Sequence, residues 1–437
     1  MINENPIDIS SLHSLINQMN TVDIAEIFED LNQKKITQTF RLLPKNMAAD
    51  VFSYITPENQ QIIIEALTDS EASKIINELF VDDAVDFIEE MPANVVKRVL
   101  TYVPDAKRQI INQILKYPED SAGTIMTTEF VNLREHLTVR EAFENIRATG
   151  LDKETIYTCY VISYDRVLVG EVSAKTLMLS DPHNIIGDIM ETNLVFAHTT
   201  DDQEAIANTF RKYGLLSMPI VDNEQRLVGI VTIDDIVTII EEENTEDFEK
   251  MAALTPSDEP YLKTGIFKHA KNRIPWLLFL MLSATVTGTI IENAGDSLPT
   301  LLAAFIPMLM DTGGNAGAQV STLIIRGMAL GELSPKDILK IMWRELRIGV
   351  LCGLTLGFVN FIRIYLMNGK DALLSLTITI SLMLTVLIAK SVGCVLPILA
   401  KKLKFDPALM ASPFITTIVD AASLTIYFSI AKAILHF

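Results

Sequence analysis

The chain has 437 residues, 55 acidic against 36 basic side chains, and a mean hydropathy of +0.29. The imbalance is local: residues 1–260 hold 46 acidic and 20 basic side chains, a net of −26, whereas residues 261–437 carry a net of +7. An acidic half of this density argues against nucleic acid as a partner and requires that counter-ions or water relieve its self-repulsion.

Three cysteines, Cys159, Cys352 and Cys394, form no CxxC pair and read as reduced packing residues. The first residues, MINENPIDIS, lack the basic and apolar regions of a cleaved signal, so the acidic half is expected to stay on the side where it is made. Residues 1–120 read as an all-α domain. Apolar residues recur at helical spacing (Ile24, Ile27, Phe28, Leu31), and Leu43-Pro44, Thr56-Pro57, Met91-Pro92 and Val103-Pro104 punctuate it, since Pro ends one helix and can start the next. A small superhelix of stacked short helices and a plain bundle both fit.

Residues 121–245 hold an internal repeat. Thr124-Ile125-Met126-Thr127 matches Asp188-Ile189-Met190-Glu191, and Val169-Gly170-Glu171-Val172-Ser173 matches Val228-Gly229-Ile230-Val231-Thr232. Between these lie strand, helix and strand patterns: Phe130–Leu133, Val139–Ala148 and Tyr157–Ser163, then Leu194–Ala197, Gln203–Tyr213 and Met218–Val221. Two β-α-β-β-α copies of α+β type resemble a tandem pair of CBS domains, which usually sense ligands. The copies diverge after the last strand, where the first has Ala174-Lys175-Thr176 and the second Ile233-Asp234-Asp235.

Residues 246–272 read as a connecting segment of one or two helices, acidic at its start and basic at its end. From 273 to 437, five apolar spans are expected at about 274–293, 300–325, 348–367, 373–400 and 407–435, each long enough to cross a bilayer. Flanking bases (Lys263, Lys268, Lys271, Arg273; Arg326, Lys336, Lys340, Arg344, Arg347; Lys401, Lys402, Lys404) face loops with Glu292 and Asp296, then Lys370 and Asp371. By the positive-inside rule the N-terminal half is cytoplasmic and the C-terminus is outside a multi-pass plasma (inner) membrane protein.

A carboxylate within a span is costly and marks function by default. Asp420 is such a carboxylate, flanked by Thr416, Thr417, Ser423 and Thr425; Pro413 is expected to free carbonyls nearby. It reads either as an ion ligand in a pore or as the partner of Lys390, with the pore favoured because Lys390 can snorkel to the interface. In span two, Pro307 is expected to break the helix. Gly313, Gly314 and Gly317 permit close approach, and Asn315, Gln319 and Thr322 add neutral oxygens. Mg²⁺ prefers oxygen and sheds its waters reluctantly, so few carboxylates and several neutral acceptors suit it. Two chains about a twofold axis would supply two Asp420 carboxylates.

The acidic helical domain, the tandem CBS pair, the connecting helix and the spans with PMLMDTGGNAGAQ and DPALMASPFITTIVD resemble the MgtE family of bacterial magnesium channels over nearly the whole chain. The resemblance implies a homodimer with a pore at its interface, closed when cytosolic Mg²⁺ binds between the acidic domains and acts through a plug helix. It implies Asp420 as the pore aspartate, with Asn315, Gly313, Gly314, Gln319, Asp311 and Thr416 along the path. The implied regulatory ligands are Asp50, Asp82, Asp86, Asp222, Glu224, Asp234, Asp235, Glu246 and Asp247. Each of these acids also reads as a helix cap or solvated charge. Asp234 has a rival role, because CBS domains often use that position on an adenosine ribose, which leaves ATP a candidate ligand.

The six histidines show no ligand spacing, and no GxSxG, P-loop or HExxH occurs, so no enzyme is expected. Three functions stay open: a Mg²⁺-gated Mg²⁺ channel, a transporter coupled to Na⁺ or H⁺, and a CBS-regulated receptor.

Overall fold

A computed structural model describes residues 16, 18–257, 261–262, 264–294, 300–367, 371–410 and 412–435. Lys263, Asp296 and Lys370, used above for the charge asymmetry, lie outside the described residues, as do His13 and His436. The chain forms two compact units, Met1–Ile239 and Ile240–Phe437.

Among the described residues the helical part of the first unit holds eight helices of 8–10 residues: α1 (Thr21–Glu29), α2 (Gln33–Phe40), α3 (Lys45–Ser53), α4 (Pro57–Ala66), α5 (Asp69–Glu78), α6 (Val81–Glu90), α7 (Ala93–Tyr102) and α8 (Asp105–Ile114). Pro44, Pro92 and Pro104 sit at helix N-caps and Pro57 opens α4, where a missing N–H costs nothing. Thr68 and Glu71 close a capping box on α5. Each helix packs on the next but one, α1 on α3 through to α6 on α8, which is the arrangement of a superhelix rather than a bundle. Phe28, Phe40, Phe52 and Phe87 run through its core as successive edge-on rings 5.3–6.2 Å apart.

The CBS repeat then builds two equivalent three-stranded sheets. In the first, β1 (Phe130–Leu133) runs parallel to β2 (Thr155–Ile162), and β3 (Leu168–Ser173) pairs antiparallel with β2. In the second, β4 (Ala197–His198), β5 (Ser217–Val221) and β6 (Leu227–Thr232) repeat that order. Strand β4 is shorter than expected and begins at Ala197, where pairing with Ile220 starts. The helices of this part are α9 (Val139–Thr149), α10 (Ala174–Leu179), α11 (Ile186–Ile189) and α12 (Gln203–Tyr213).

The repeated motifs interlock. Thr127, before the first copy, exchanges both backbone hydrogen bonds with Ile230 of the second, and Glu191, before the second, does so with Glu171 of the first. Gly170 and Gly229 make this possible. A Cβ on either would come within 2.5–2.6 Å of the Met190 or Met126 sulfur. Each motif therefore completes the other copy, and the Tyr160 and Ser217 hydroxyls meet at 2.7 Å in the buried centre.

Helix α13 (Ile233–Met251) follows β6. The connecting segment expected over 246–272 is divided: its acidic part is the end of α13, and its basic part is the start of α14 (Ile266–Ala294), with the described residues between them non-helical. The span begins eight residues early because Lys268, Lys271 and Arg273 are good helix formers that extend it into water.

After the short α15 (Thr300–Ala303) come α16 (Ile306–Ala329), α17 (Ile338–Met367), α18 (Ala372–Lys402) and α19 (Ser412–Leu435). Among the described residues four segments, Ile266–Ala294, Pro335–Met367, Ala372–Lys402 and Pro407–Leu435, are long and apolar enough to cross a membrane. The remaining expected span is α16, long enough at 24 residues but diluted by its glycines and polar side chains. Helix α18 is central and packs on α16, α17 and α19, whereas α14 packs on α19. Neither proline breaks a span. Pro307 lies in the first turn of α16, and Pro413 in the first turn of α19, where its carbonyl accepts from the Thr416 (2.9 Å) and Thr417 (3.1 Å) hydroxyls.

Candidate functional site

The spacing of polar residues on α16 and α19 decides what they face. Asp311 and Asn315 are four residues apart, as are Thr416 and Asp420, so each pair lies on one helical face. The glycines bring those faces together. A Cβ on Gly313 would lie 2.7 Å from Thr385 Cγ2 and 2.9 Å from Val419 Cγ1; on Gly314, 2.9 Å from Thr416 Cγ2; on Gly317, 2.6 Å from Ile415 Cγ2. Gly393 of α18 abuts the Gly317 carbonyl. Small residues at a helix crossing let two backbones approach, and the gain is van der Waals contact.

The result is a cavity of about 210 Å³ lined by Met310, Asp311, Gly314, Asn315, Thr416 and Asp420. Asn315 Nδ2 donates to Asp311 Oδ1 at 3.2 Å, which leaves the amide oxygen to face a ligand. The Thr416 hydroxyl donates its hydrogen to Pro413, so its oxygen can only accept from or coordinate a guest. The donor set is thus two carboxylates, one amide and one hydroxyl, all oxygen, with a formal charge of −2 in a single chain. Asp311 and Asp420 together supply what two copies of Asp420 were expected to supply. Gly313 is buried against α18 and α19 and does not line the cavity; Gln319 is exposed one turn beyond Asn315 on the same face.

Lys390 does not snorkel and does not meet Asp420. It is 6% exposed and its Nζ lies 3.7 Å from Glu345 Oε2 on α17. Sequence reasoning missed Glu345 because it stands among the bases before span three, in what reads as a loop.

The expected regulatory acids fall into three groups. In the first unit Asp50 (α3), Asp82 (α6), Asp234 and Asp235 (first turn of α13) share a field with two residues not foreseen, Asp83 and Glu154. Burial, then Asp83, Asp235 and Glu154, holds the Asp82 carboxyl well above its ordinary range. Burial followed by Asp235 pushes Asp83 up to about 6. Burial, then Asp234 and Asp235, pushes Glu154 up to about 7, and one of its carboxylate oxygens is buried without a hydrogen-bond partner. Asp235 also rises to about 6 by burial, although it accepts from the Thr232 hydroxyl at 2.7 Å. Lys107 faces this cluster, its ammonium held by the Leu79 and Asn77 carbonyls. No signal in the sequence marks Glu154, which ends a loop before β2.

Asp222 and Glu224 stand apart. Asp222 Oδ1 accepts from the Glu224 and Arg226 backbone N–H groups at 2.8 and 2.9 Å, shaping the β5–β6 turn, and Glu224 pairs with Arg226 at 2.5 Å. Their spacing reflects turn chemistry. Asp86 is exposed on α6. Glu246 and Asp247 belong to the second unit. There Lys250 Nζ bridges Glu246 (2.5 Å) and Asp406 (2.7 Å). Burial, then the charge of Asp406, pushes Asp247 up to about 6. Among the described residues no three His, Cys, Asp or Glu side chains come close enough to chelate an ion together.

Comparisons with known proteins place these features. Residues 306–430 match a family described as "Divalent cation transporter", MgtE; residues 19–120 match the "MgtE intracellular N domain", and residues 186–242 match the CBS domain. The chain is 35% identical over 435 residues to the magnesium transporter MgtE of Thermus thermophilus, covering 98% of this chain and 96% of that one. It is 32% identical over 434 residues to that of Bacillus subtilis, covering 98% and 95%. Among solved structures, the cytosolic domain of the Mg²⁺ channel MgtE in complex with ATP aligns at a TM-score of 0.51 and 32% identity, covering 53% of this chain and 95% of that one.

Proposed function

This chain belongs to the MgtE family, and on that premise we propose that it is a channel that admits Mg²⁺ to the cytoplasm and closes when cytosolic Mg²⁺ binds its acidic soluble unit. The observation that carries the proposal is the oxygen-lined cavity between α16 and α19. Its −2 charge matches one divalent ion. Its neutral amide and hydroxyl suit an ion that keeps part of its water shell, since a cavity of about 210 Å³ holds a cluster of waters as well as an ion. Asp420 and Asp311 are the charged ligands in this reading, with Asn315 and Thr416 as neutral ones and Gln319 further along the path.

A homodimer is part of the proposal. Asp311, Asn315 and Gln319 are exposed on one face of α16 in the single chain. Polar groups at bilayer depth face a bundle interior or a water-filled path, which a second copy opposite would complete. The soluble unit is cytoplasmic in this reading, as the family description of residues 19–120 indicates, and the C-terminus lies outside a plasma (inner) membrane.

The gate follows from the acidic cluster. Asp50, Asp82, Asp83, Glu154, Asp234 and Asp235 repel one another when ionised. Mg²⁺ neutralises them and favours the packed arrangement, and an ion shifts the equilibrium only by its difference in affinity between the open and closed forms. The ions then screen a shared field and keep waters between themselves and several carboxylates, because among the described residues no three acids converge on one point. Asp86, Asp222 and Glu224 drop out of the sensor. Asp247 stays as a second-unit contributor beside Asp406. For ATP the chain offers Asp234, exposed on the first turn of α13 at the position CBS domains often turn to a ribose. Its carboxylate also raises the proton affinity of Asp83 and Glu154, so nucleotide and cation binding would be linked. No step of the gating reading passes through ATP.

The test is current through the full chain in planar bilayers with Mg²⁺ as the only permeant cation and no Na⁺ or pH gradient. Current that rises as Mg²⁺ on the side of the soluble unit is removed supports a channel. Uptake that requires a Na⁺ or H⁺ gradient replaces it with a coupled transporter.

A further inference from the structure

The ion pair between Glu345 of α17 and Lys390 of α18 has no part in the cavity, yet Lys390 is buried and Glu345 nearly so, with 8% and 14% of their side-chain surfaces exposed. A buried charge within an apolar helix is retained only for a reason. The surroundings of Lys390 suggest one. Gly349, one turn beyond Glu345, leaves room for the lysine stem: a Cβ there would lie 3.3 Å from Lys390 Cδ. On the other side, the Ala389 carbonyl is 3.2 Å from the position of a Gly317 Cβ, and Gly393 abuts the Gly317 carbonyl. Gly317 lies two residues past Asn315 on α16. Lys390 therefore stands on the helix packed against the cavity-lining α16, with its ammonium turned towards α17. In a poorly screened, low-dielectric surrounding an uncompensated ammonium on that helix acts over a long range and repels a divalent ion.

We infer that Glu345 is a charge-cancelling, positioning residue for ion passage: it holds the Lys390 ammonium against α17 and removes from the ion path a positive field that would oppose Mg²⁺. The inference rests on the Mg²⁺-conducting reading. It differs from a purely structural pair in its asymmetry. Removing the carboxylate leaves a repulsive charge, whereas removing the ammonium leaves an attractive one.

The experiment is Mg²⁺ uptake into liposomes holding the full chain, with uptake normalised to inserted protein and KM measured separately from the maximal rate. For E345Q the KM for Mg²⁺ rises at least tenfold, for K390M it falls at least twofold, and for the double variant E345Q/K390M it returns to within about twofold of the unsubstituted chain. Equal losses in E345Q and K390M, a double variant as impaired as E345Q, or an E345Q indistinguishable from the unsubstituted chain overturns the inference. If E345Q does not accumulate in membranes, K390M decides: a lower KM supports the inference, and an unchanged or higher one overturns it. Absence of uptake by the unsubstituted chain instead overturns the transport reading, whatever the ranking of the variants.

Discussion

The acidic cluster of the soluble unit and the cavity of the membrane unit both gather carboxylates, but by opposite means. In the soluble unit six acids crowd together with Lys107 opposite them, and burial and neighbouring carboxylates raise the proton affinity of Asp82, Asp83, Glu154 and Asp235. In the membrane unit two acids suffice, and glycines, an amide and a hydroxyl complete the site. A water-facing site can afford excess charge, because solvent and ions screen what it does not use. A site at bilayer depth carries few charges, since each extra carboxylate costs about 3 kcal/mol. In the proposed function the first responds to cation concentration and the second passes the ion.

The comparison is broken most directly at Asp420. D420N is expected to lower Mg²⁺ uptake about 100-fold, equivalent to ~3 kcal/mol, with insertion unchanged; uptake near the unsubstituted level shows that the cavity is not the path. D311N sharpens the charge count, with a loss of about tenfold expected if both carboxylates of one chain face the ion. An unchanged rate would return the second charge to the Asp420 of another copy. Packing comes next. G317A places a methyl 2.6 Å from Ile415 Cγ2, so it should cost about 1–3 kcal/mol of stability, read as a lower unfolding temperature in detergent.

Smaller effects belong to the soluble unit. D83N with E154Q is expected to blunt Mg²⁺ closure a few-fold in bilayer recordings, whereas D86N and E224Q leave it unchanged; equal effects of all four would dissolve the assignment of the cluster. The smallest effect is the response to pH. Asp83 and Asp235 at about 6 and Glu154 at about 7 lie above their unfolded values, so the folded unit binds more protons than the unfolded chain. Its stability therefore falls as pH rises through roughly 4 to 7. Hydrogen exchange across residues 18–239 of the full chain should slow from pH 8 to pH 5, after correction for the intrinsic rate, and added Mg²⁺ at pH 8 should slow it likewise.

Much of the architecture was legible. Helix spacing and Pro punctuation marked the helical domain, a doubled motif marked the CBS pair, and long apolar runs marked the spans. These are properties of nearest neighbours and of composition, and they survive without knowledge of packing. Asp420 stood out for the same reason, as a charge where hydropathy forbids one.

Other residues were misread because their meaning depends on what lies across from them. Asp222 and Glu224 looked like cation ligands but shape and flank a hairpin turn. Pro307 and Pro413 looked like helix breakers and are helix starts. Gly313 looked like a pore residue and is a packing surface. Lys390 looked free to snorkel and is paired with Glu345, which nothing in the sequence singled out.

By itself, then, the sequence determined the class of each region, the internal repeat and the lone carboxylate of the last span, because periodicity and hydropathy act along the chain. Only the tertiary structure decided that Asp311 joins Asp420, that Asp83 and Glu154 join the acidic cluster, and that Lys390 is neutralised. Those outcomes turn on distances of a few ångströms between residues far apart in sequence, set by how closely glycines let the helices approach.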